Sequence, residues 1–316
     1  MTEEIKSINL DANQTAFFAR ELESIKARTY DVVYPELKAT TLIPVSTEAG
    51  PGAESITYQQ FDQLGLAKVI ANYADDLPRA DVKGKEFNSP IRSLGASYGY
   101  SVQEIRAAQF VGRSLEQRKA NATRRAIEQK VNKIAWYGDS ESGLTGLIDN
   151  PNITRVAVEN DGTASSTLWE DKTPDQILRD MNDLVTGIVD VTKGVEMPNT
   201  LIMPIKQYRQ ISNTRLASGT DTTILEFFLQ NSPFITTVEW VNELKGAGLG
   251  EGSVAAGGDV MIAYDRNPDK LTLEIPQPYE QFPAQERGLE FVVPAHARVA
   301  GVIIYYPLSV AVGEGI

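Results

Sequence analysis

Cysteine is absent from the sequence, and histidine occurs once, at His296. The first absence excludes a disulfide framework, a thiolate zinc site and a cysteine nucleophile. It also fits a reducing compartment. The second excludes metal sites built from several histidines, and leaves His296 as the one imidazole available for base catalysis. Positive charge is short: 30 Lys and Arg stand against 42 Asp and Glu, for a net charge of −12. So acidic a surface repels phosphate and is a poor default for nucleic-acid binding. Long apolar runs are missing too. The most apolar stretch, Val299 to Val312, is interrupted by Pro307 and Ser309 and is too short to span a bilayer. Met1-Thr-Glu-Glu-Ile-Lys shows no basic segment followed by an apolar one, so no signal peptide and no membrane partner is expected. What the sequence does have is ordinary for a soluble protein: 42% hydrophobic and 23% charged residues over 316 positions. That is enough for a real core and roughly two domains, or one elaborated one.

The pattern along the chain is a series of distinct elements without a fixed repeat. Phe18, Leu22 and Ile25 predict a short amphipathic helix over 13–26, and Tyr30 to Leu37 reads as extended, broken by Pro35. This leading piece has too little apolar surface to fold alone and is expected to pack against something else. Glu54 to Phe61 and Leu66 to Tyr73 read as strands. A charged tip follows, Asp75 to Glu86, and Ile91 to Tyr100 is expected to return as a strand. The clearest helix is 114–137. Ser114 and Gln117 form a capping box, Ile127, Val131 and Ile134 form its apolar stripe, and Gly138 stops it. From Leu115 to Trp136 it would run ~33 Å. Ala120, Ala122 and Ala126 are expected to allow a neighbour close, and Arg118, Lys119, Arg124, Arg125, Lys130 and Lys133 make its other face basic.

Thr173 and Gln176 cap a second helix, with Pro174 at its first position, Gly194 at its end and Ile177, Met181, Leu184 and Ile188 as its stripe. Asp180 and Asp183 are assigned to its solvated face. Leu201 to Met203 and Ile235 to Leu244 are expected strands, with short helices over Pro204 to Ser212 and 222–230. The last quarter is β-rich: Val260 to Tyr264, Lys270 to Ile275, Leu289 to Val293, Val299 to Tyr306 and Leu308 to Val312. Helices and strands that segregate in this way indicate an α+β fold rather than alternating βαβ units.

Four segments resemble sites of chemistry. Gly95-Ala-Ser-Tyr-Gly99 has the spacing of a hydrolase nucleophile elbow, which with His296 would make Ser97 a serine nucleophile. The polar segment before it is not the buried strand of a parallel sheet, so a glycine-relieved strand end is the plainer reading. Asp265-Arg-Asn-Pro-Asp269 has the first spacings of a calcium loop, but Lys270 and Pro276 occupy the positions that need glycine and glutamate; it reads as a turn. Gly246-Ala-Gly-Leu-Gly-Glu-Gly252 matches no phosphate-binding pattern and reads as a flexible loop. The basic stripe on 114–137 reads as a solvated or acid-paired face before a nucleic-acid surface. No catalytic constellation, cofactor site or metal site emerges. An arm, a long polar projection and a long helix are features of a protein that contacts copies of itself.

Those elements, in that order, resemble the major capsid proteins of tailed double-stranded DNA bacteriophages, with the Hong Kong 97-type fold. The resemblance rests on Tyr30-Asp-Val-Val-Tyr-Pro-Glu-Leu37, Ala71-Asn-Tyr-Ala-Asp-Asp-Leu-Pro-Arg79 and Ser97-Tyr-Gly-Tyr-Ser-Val-Gln-Glu-Ile-Arg106. It also rests on Ile134-Ala-Trp-Tyr-Gly-Asp139 followed by Gly143-Leu-Thr-Gly-Leu147, and on the ending Tyr306-Pro-Leu-Ser-Val-Ala-Val-Gly313. It implies an N-terminal arm over 1–45, an extended loop over 46–100 and a peripheral domain with a spine helix over 101–149. An axial domain would take 150–258, and 259–316 would supply peripheral strands and a return to the axial domain. The implied function is structural: pentamers and hexamers forming an icosahedral shell around DNA, assembled in the host bacterial cytoplasm. The implied partners are further copies of the chain, a separate scaffolding protein, a portal, decoration proteins and weakly held DNA. No enzyme activity and no cofactor is implied. Some members of the fold join a loop lysine to an asparagine; Lys83, Lys85 and Asn88 are the residues near the loop tip here. The polar tip is expected to make the inter-subunit contact, through Asp75, Asp76, Arg79, Asp81, Lys83, Lys85 and Glu86. Deleting 75–88 is expected to leave a soluble subunit that forms no closed shell. Two other readings stay open: an encapsulin-like nanocompartment shell, and a serine hydrolase using Ser97 and His296.

Overall fold

A computed structural model describes residues 34–64, 81–111, 116–217 and 219–316. The expected helix over 13–26, the expected strand Leu66 to Tyr73 and the Ser114 cap lie outside those residues. Residues 1–36 form a unit separate from 37–316; of it only 34–36 are described, and they carry no helix or strand.

The strands are β1 (Val45–Ser46), β2 (Ser55–Leu64), β3 (Asp81–Pro90), β4 (Arg92–Ser101), β5 (Thr154–Ala157), β6 (Thr200–Met203), β7 (Thr237–Trp240), β8 (Val260–Tyr264), β9 (Leu271–Glu274), β10 (Gln277–Gln281), β11 (Gln285–Arg287), β12 (Glu290–Val299), β13 (Gly301–Ile304) and β14 (Val310–Glu314). The helices are α1 (Ala39–Leu42), α2 (Val102–Val111), α3 (Glu116–Tyr137), α4 (Pro174–Val191), α5 (Ile205–Asn213) and α6 (Ile224–Asn231).

A five-stranded mixed sheet, order β5-β14-β8-β6-β7, separates two cores. Its central strands are buried on both faces, which is why Thr200–Met203 and Val260–Tyr264 are near-continuous apolar runs. Alternation divides them between the cores. Leu201, Met203, Met261, Ala263 and Ala311 face α4, α5 and α6. Ile202, Val260, Ile262, Tyr264, Val310 and Val312 face the end of α3 with Ile134, Trp136, Leu147 and Ile148. The α1 segment joins that second core through Ala39, Leu42 and Ile43, so the chain from Leu37 onward belongs to the body. A second sheet is built on β12, which pairs along its full length with β4 and on its other edge with β10 and β11. On one face of it lies α3, with Ile127 and Val131 against Ala295 and Ala297. A small sheet, β1-β9-β13, and a two-stranded ribbon, β2-β3, complete the set.

Glycine determines how α3 ends. Gly138 adopts φ +66°, and the chain then doubles back along the helix. Leu147 and Ile148 donate their N–H groups to the carbonyls of Ala135 and Trp136 at 2.8 and 2.9 Å. These are helix-terminal acceptors with no partner inside the helix. The return passes so close that a Cβ on Gly146 would collide with the backbone of Gly138 and Trp136. Val302 and Thr145 then join the loop to β13 by a pair of hydrogen bonds, and Gly301 (φ +77°) leaves room for Thr145.

The second helix follows expectation. The Thr173–Gln176 capping box is formed, and Ile177, Met181, Leu184 and Ile188 are buried. Asp180 does not. It stands three residues after Ile177 and four before Leu184, hence on the apolar face, and it is 3% exposed. Lys172, from the loop before the helix, donates to Asp180 at 2.6 Å and to the Glu159 carbonyl at 2.6 Å, and the Trp169 indole donates to Asp180 at 3.0 Å. Burial pushes the Asp180 carboxyl up, and bonds from Lys172, Trp169 and Arg179 pull it back. Asp183 remains exposed, as expected.

Other expectations shift. Ile91 to Tyr100 is a strand, but it does not return along β2. The return strand is β3, which includes Asp81 to Glu86, the segment read as a tip. After Pro90 the buried Ile91 marks the change of sheet, and β4 pairs with β12. Ala122 and Ala126 are exposed, while Ala120 packs near Tyr98 and Tyr100. The loop 246–252 is pinned: Gly246 donates to Asp259 at 2.9 Å, and Leu249 and Gly250 donate to the fully buried carboxylate of Glu314 at 3.2 and 2.8 Å.

Two outcomes are expected for the unassembled subunit in urea. Gly146→Ala should cost about 3 kcal/mol, because the backbone on both sides must move; a wild-type midpoint would contradict the close packing. Lys172→Met should also cost about 3 kcal/mol by stranding the Asp180 carboxylate, and Lys172→Met with Asp180→Leu should recover most of it. An additive double variant would show that the two do not act as a pair.

Candidate assembly surface

Among the described residues, hydrophobic burial runs out along the β2–β3 ribbon. Its strands pair from Ser55↔Pro90 to Leu64↔Asp81. At the base, Tyr58 stacks on Phe87 with ring centroids 5.1 Å apart and meets Tyr305 edge-on at 5.0 Å. Ser89 donates to the Ala300 carbonyl at 3.2 Å. Beyond that base the described side chains are exposed. Phe61 is 62% exposed, although its ring lies across Gly84, and Val82 is 58% exposed. A two-stranded ribbon is marginal in water without a further surface to cover it.

Of the residues expected to make contact at the tip, Asp75, Asp76 and Arg79 lie outside the described residues. Asp81, Lys83, Lys85 and Glu86 lie on β3. Lys83, Lys85 and Glu86 are exposed, and the Lys85 ammonium sits 4.7 Å from the Phe87 ring centroid. Asn88 is exposed and opposite Thr57. Sequence reasoning missed Phe61 and Tyr58. The alternation Ile56, Tyr58 against Thr57, Gln59 carried a signal for the anchored face, but nothing local marks Phe61 as uncovered.

The basic face of α3 is largely occupied by the chain's own acceptors. Lys119 donates to the Gly99 carbonyl at 2.8 Å and to Glu104 at 3.1 Å, and lies over the Tyr100 ring. Arg124 pairs with Glu128 at 2.8 Å and Lys130 with Asp139 at 3.7 Å. Bonds from Lys119 and the Ser101 backbone hold the Glu104 carboxyl below its ordinary range.

Ser97 stands in mid-strand on β4, opposite Pro294, and His296 stands opposite Gly95. The strand continues to Ser101, so the sharp strand-to-helix turn that presents a hydrolase nucleophile does not form at Ser97. Asp265 to Asp269 is a turn: Asn267 accepts from the Asp269 N–H at 3.0 Å, and Asp265 accepts from the Asn199 amide at 2.5 Å. Among the described residues no group of three or more His, Asp or Glu is placed to hold a metal, and no helix is long and apolar enough to cross a membrane.

Residues 65–316 match the family model for the major capsid protein. The capsid of Myoviridae phage XM1 superposes with a TM-score of 0.81 at 19% identity, covering 95% of this chain and 99% of that one. A protein of Mycobacterium phage Ogopogo gives 0.59 at 14% identity, covering 95% and 99%. The virus-like particle from Pyrococcus furiosus gives 0.51 at 13% identity, covering 89% and 92%. No curated relative matches. At these identities the structural likenesses establish the Hong Kong 97-type α+β capsid fold. Together with the family match over most of its length, they place the chain in the major capsid protein family, whose members are self-associating structural components of virion shells and not enzymes.

Proposed function

We propose that the chain builds the shell of a tailed-phage head, as pentamers and hexamers around double-stranded DNA, and that the β2–β3 ribbon is an inter-subunit contact. The observation that carries the ribbon's role is the exposure of Phe61 and Val82 on a two-stranded element with little core of its own. On this reading 1–45 is an arm whose last residues, from Leu37, are packed into the body, 46–100 is the extended loop, and 101–149 is the peripheral domain with α3 as its spine. Residues 150–258 form the axial domain, and 259–316 supply peripheral strands and the return to the axial domain.

A net charge of −12 suits a container, because packed DNA must not adhere to its wall. Contacts repeated at every subunit let modest interfaces sum to a stable particle. Scaffolding, portal and decoration proteins are the further partners of this reading, with assembly in the host cytoplasm. The likeness to the virus-like particle from Pyrococcus furiosus supports a second reading, an encapsulin-like compartment. Neighbouring packaging genes favour the head, and a co-purifying enzyme favours the compartment.

Negative-stain microscopy with light scattering is expected to show closed shells for the wild type, with scaffold supplied where needed. Because 81–88 belong to a strand that pairs with β2, substitution is a cleaner probe than deletion. Lys83→Glu with Lys85→Glu should leave the circular dichroism and melting of the subunit unchanged and cut the yield of closed shells at least ten-fold. Shells at wild-type yield would remove the ribbon from the interface; a wild type that stays monomeric at high concentration with scaffold would overturn self-assembly.

A further inference from the structure

Exposed apolar side chains gather at one flank of the five-stranded sheet, beside its edge strand β5. Val156 is 49% exposed, Val191 63% and Leu308 51%. Together with Leu184 and Ile188 they line a groove of about 170 Å³ between α4 and the β5–β14 pair. Gly187 opens its helical wall: a Cβ there would meet nothing within 4 Å. Glycine in mid-helix is unfavourable, and no packing among the described residues requires it at this position. The charged residues lining the groove are Glu159, Asp180 and Asp183, with no lysine or arginine among them. Asp180 is held by Lys172, and Asp183 is exposed, with the Arg179 guanidinium 3.8 Å away. The groove is therefore apolar along its length and acidic at its rim.

The chain carries a complementary surface elsewhere on the same sheet. On α5, which packs toward the opposite edge strand β7, Ile205 is 49% exposed. Arg209 follows one turn later on the same helix face and is exposed, with no ion pair among the described residues. Lys206 lies beside them and holds Glu170 at 2.7 Å. An apolar knob next to a cation fits an apolar groove with an acidic rim. Because groove and knob are different surfaces, their union is head-to-tail, the kind of contact that closes into rings.

We propose that the α4–β5 groove receives α5 of the next copy of the chain, with Ile205 entering beside Gly187 and Arg209 meeting Asp183. This rests on the self-assembly reading and adds to it the surfaces that join neighbours. The absence of cysteine makes the test clean. Val156→Cys with Ile205→Cys, assembled as the full chain and treated with a short bismaleimide, should give a ladder of covalent oligomers up to pentamers and hexamers on a denaturing gel. Either single variant should give none. Gly187→Gln, with a side chain that fills the groove, should leave melting of the subunit unchanged or raised and lower the ladder at least ten-fold when added to the cysteine pair. Well-formed shells without a ladder would overturn the groove contact while leaving self-assembly intact. Dimers from Val156→Cys alone would overturn it in favour of groove meeting groove. Failure of the wild type to assemble, together with no ladder, would remove both.

Discussion

The close approach of backbone to backbone at the end of α3 is the constraint on which the rest of the fold depends. Gly138, Gly146 and Gly301 stand where a side chain would collide or where φ is positive. Through them the helix end, the returning loop and β13 come within hydrogen-bond distance. Leu147 and Ile148 are delivered into the core only because their N–H groups close on the helix carbonyls. That core is shared with the buried strands β8 and β14 of the five-stranded sheet, so one short glycine-bearing loop ties the long helix to both sheet systems. The Gly-Asp and Gly-Leu-x-Gly-Leu pattern thus acts in this fold as a packing device.

Charge is handled by the same economy. The acidic excess does not remain wholly at the surface. Glu314 is fully buried, held by Arg155 and by two loop N–H groups, and Asp180 is buried on Lys172 and Trp169. Each fastens a loop that has little apolar content of its own: 246–252 in the first case, and the segment before α4 in the second. Buried ion pairs add little net stability against apolar alternatives, but losing one partner is costly. They therefore specify where these loops lie more than how tightly the domain folds. A shell subunit whose loops must present fixed surfaces to its neighbours has use for that kind of specification.

Where side-chain pattern determined structure, the sequence was legible. The α4 capping box and stripe, the uninterrupted β8 run and the glycine stop after α3 are local signals, and each lies where it was expected. Pairing partners were not legible. Ile91 to Tyr100 carries the alternation of a strand, but nothing in those residues says that β12 rather than β2 lies beside it. The same alternation is satisfied by either neighbour, and the buried Ile91 lies where the chain passes from one sheet to the other. Strands β5, β10 and β11 are short or polar, and each is defined by its partner's ladder rather than by its own composition. Asp180 was misplaced because a carboxylate reads as solvated until the lysine eight residues earlier is seen to reach it.

The candidate site was legible only in outline, for a physical reason. An active site concentrates unusual residues that stand out in a sequence; Ser97 and His296 did so here, and the fold places both in mid-strand. An assembly surface is made instead of ordinary residues that find no partner in their own chain. Phe61, Val191 and Ile205 look like core residues in sequence, and only the fold shows that they are exposed. Exposed apolar residues scattered singly need no explanation. Gathered beside an open groove and on the ribbon, they are a cost to the isolated subunit that the proposed contacts with other copies would remove.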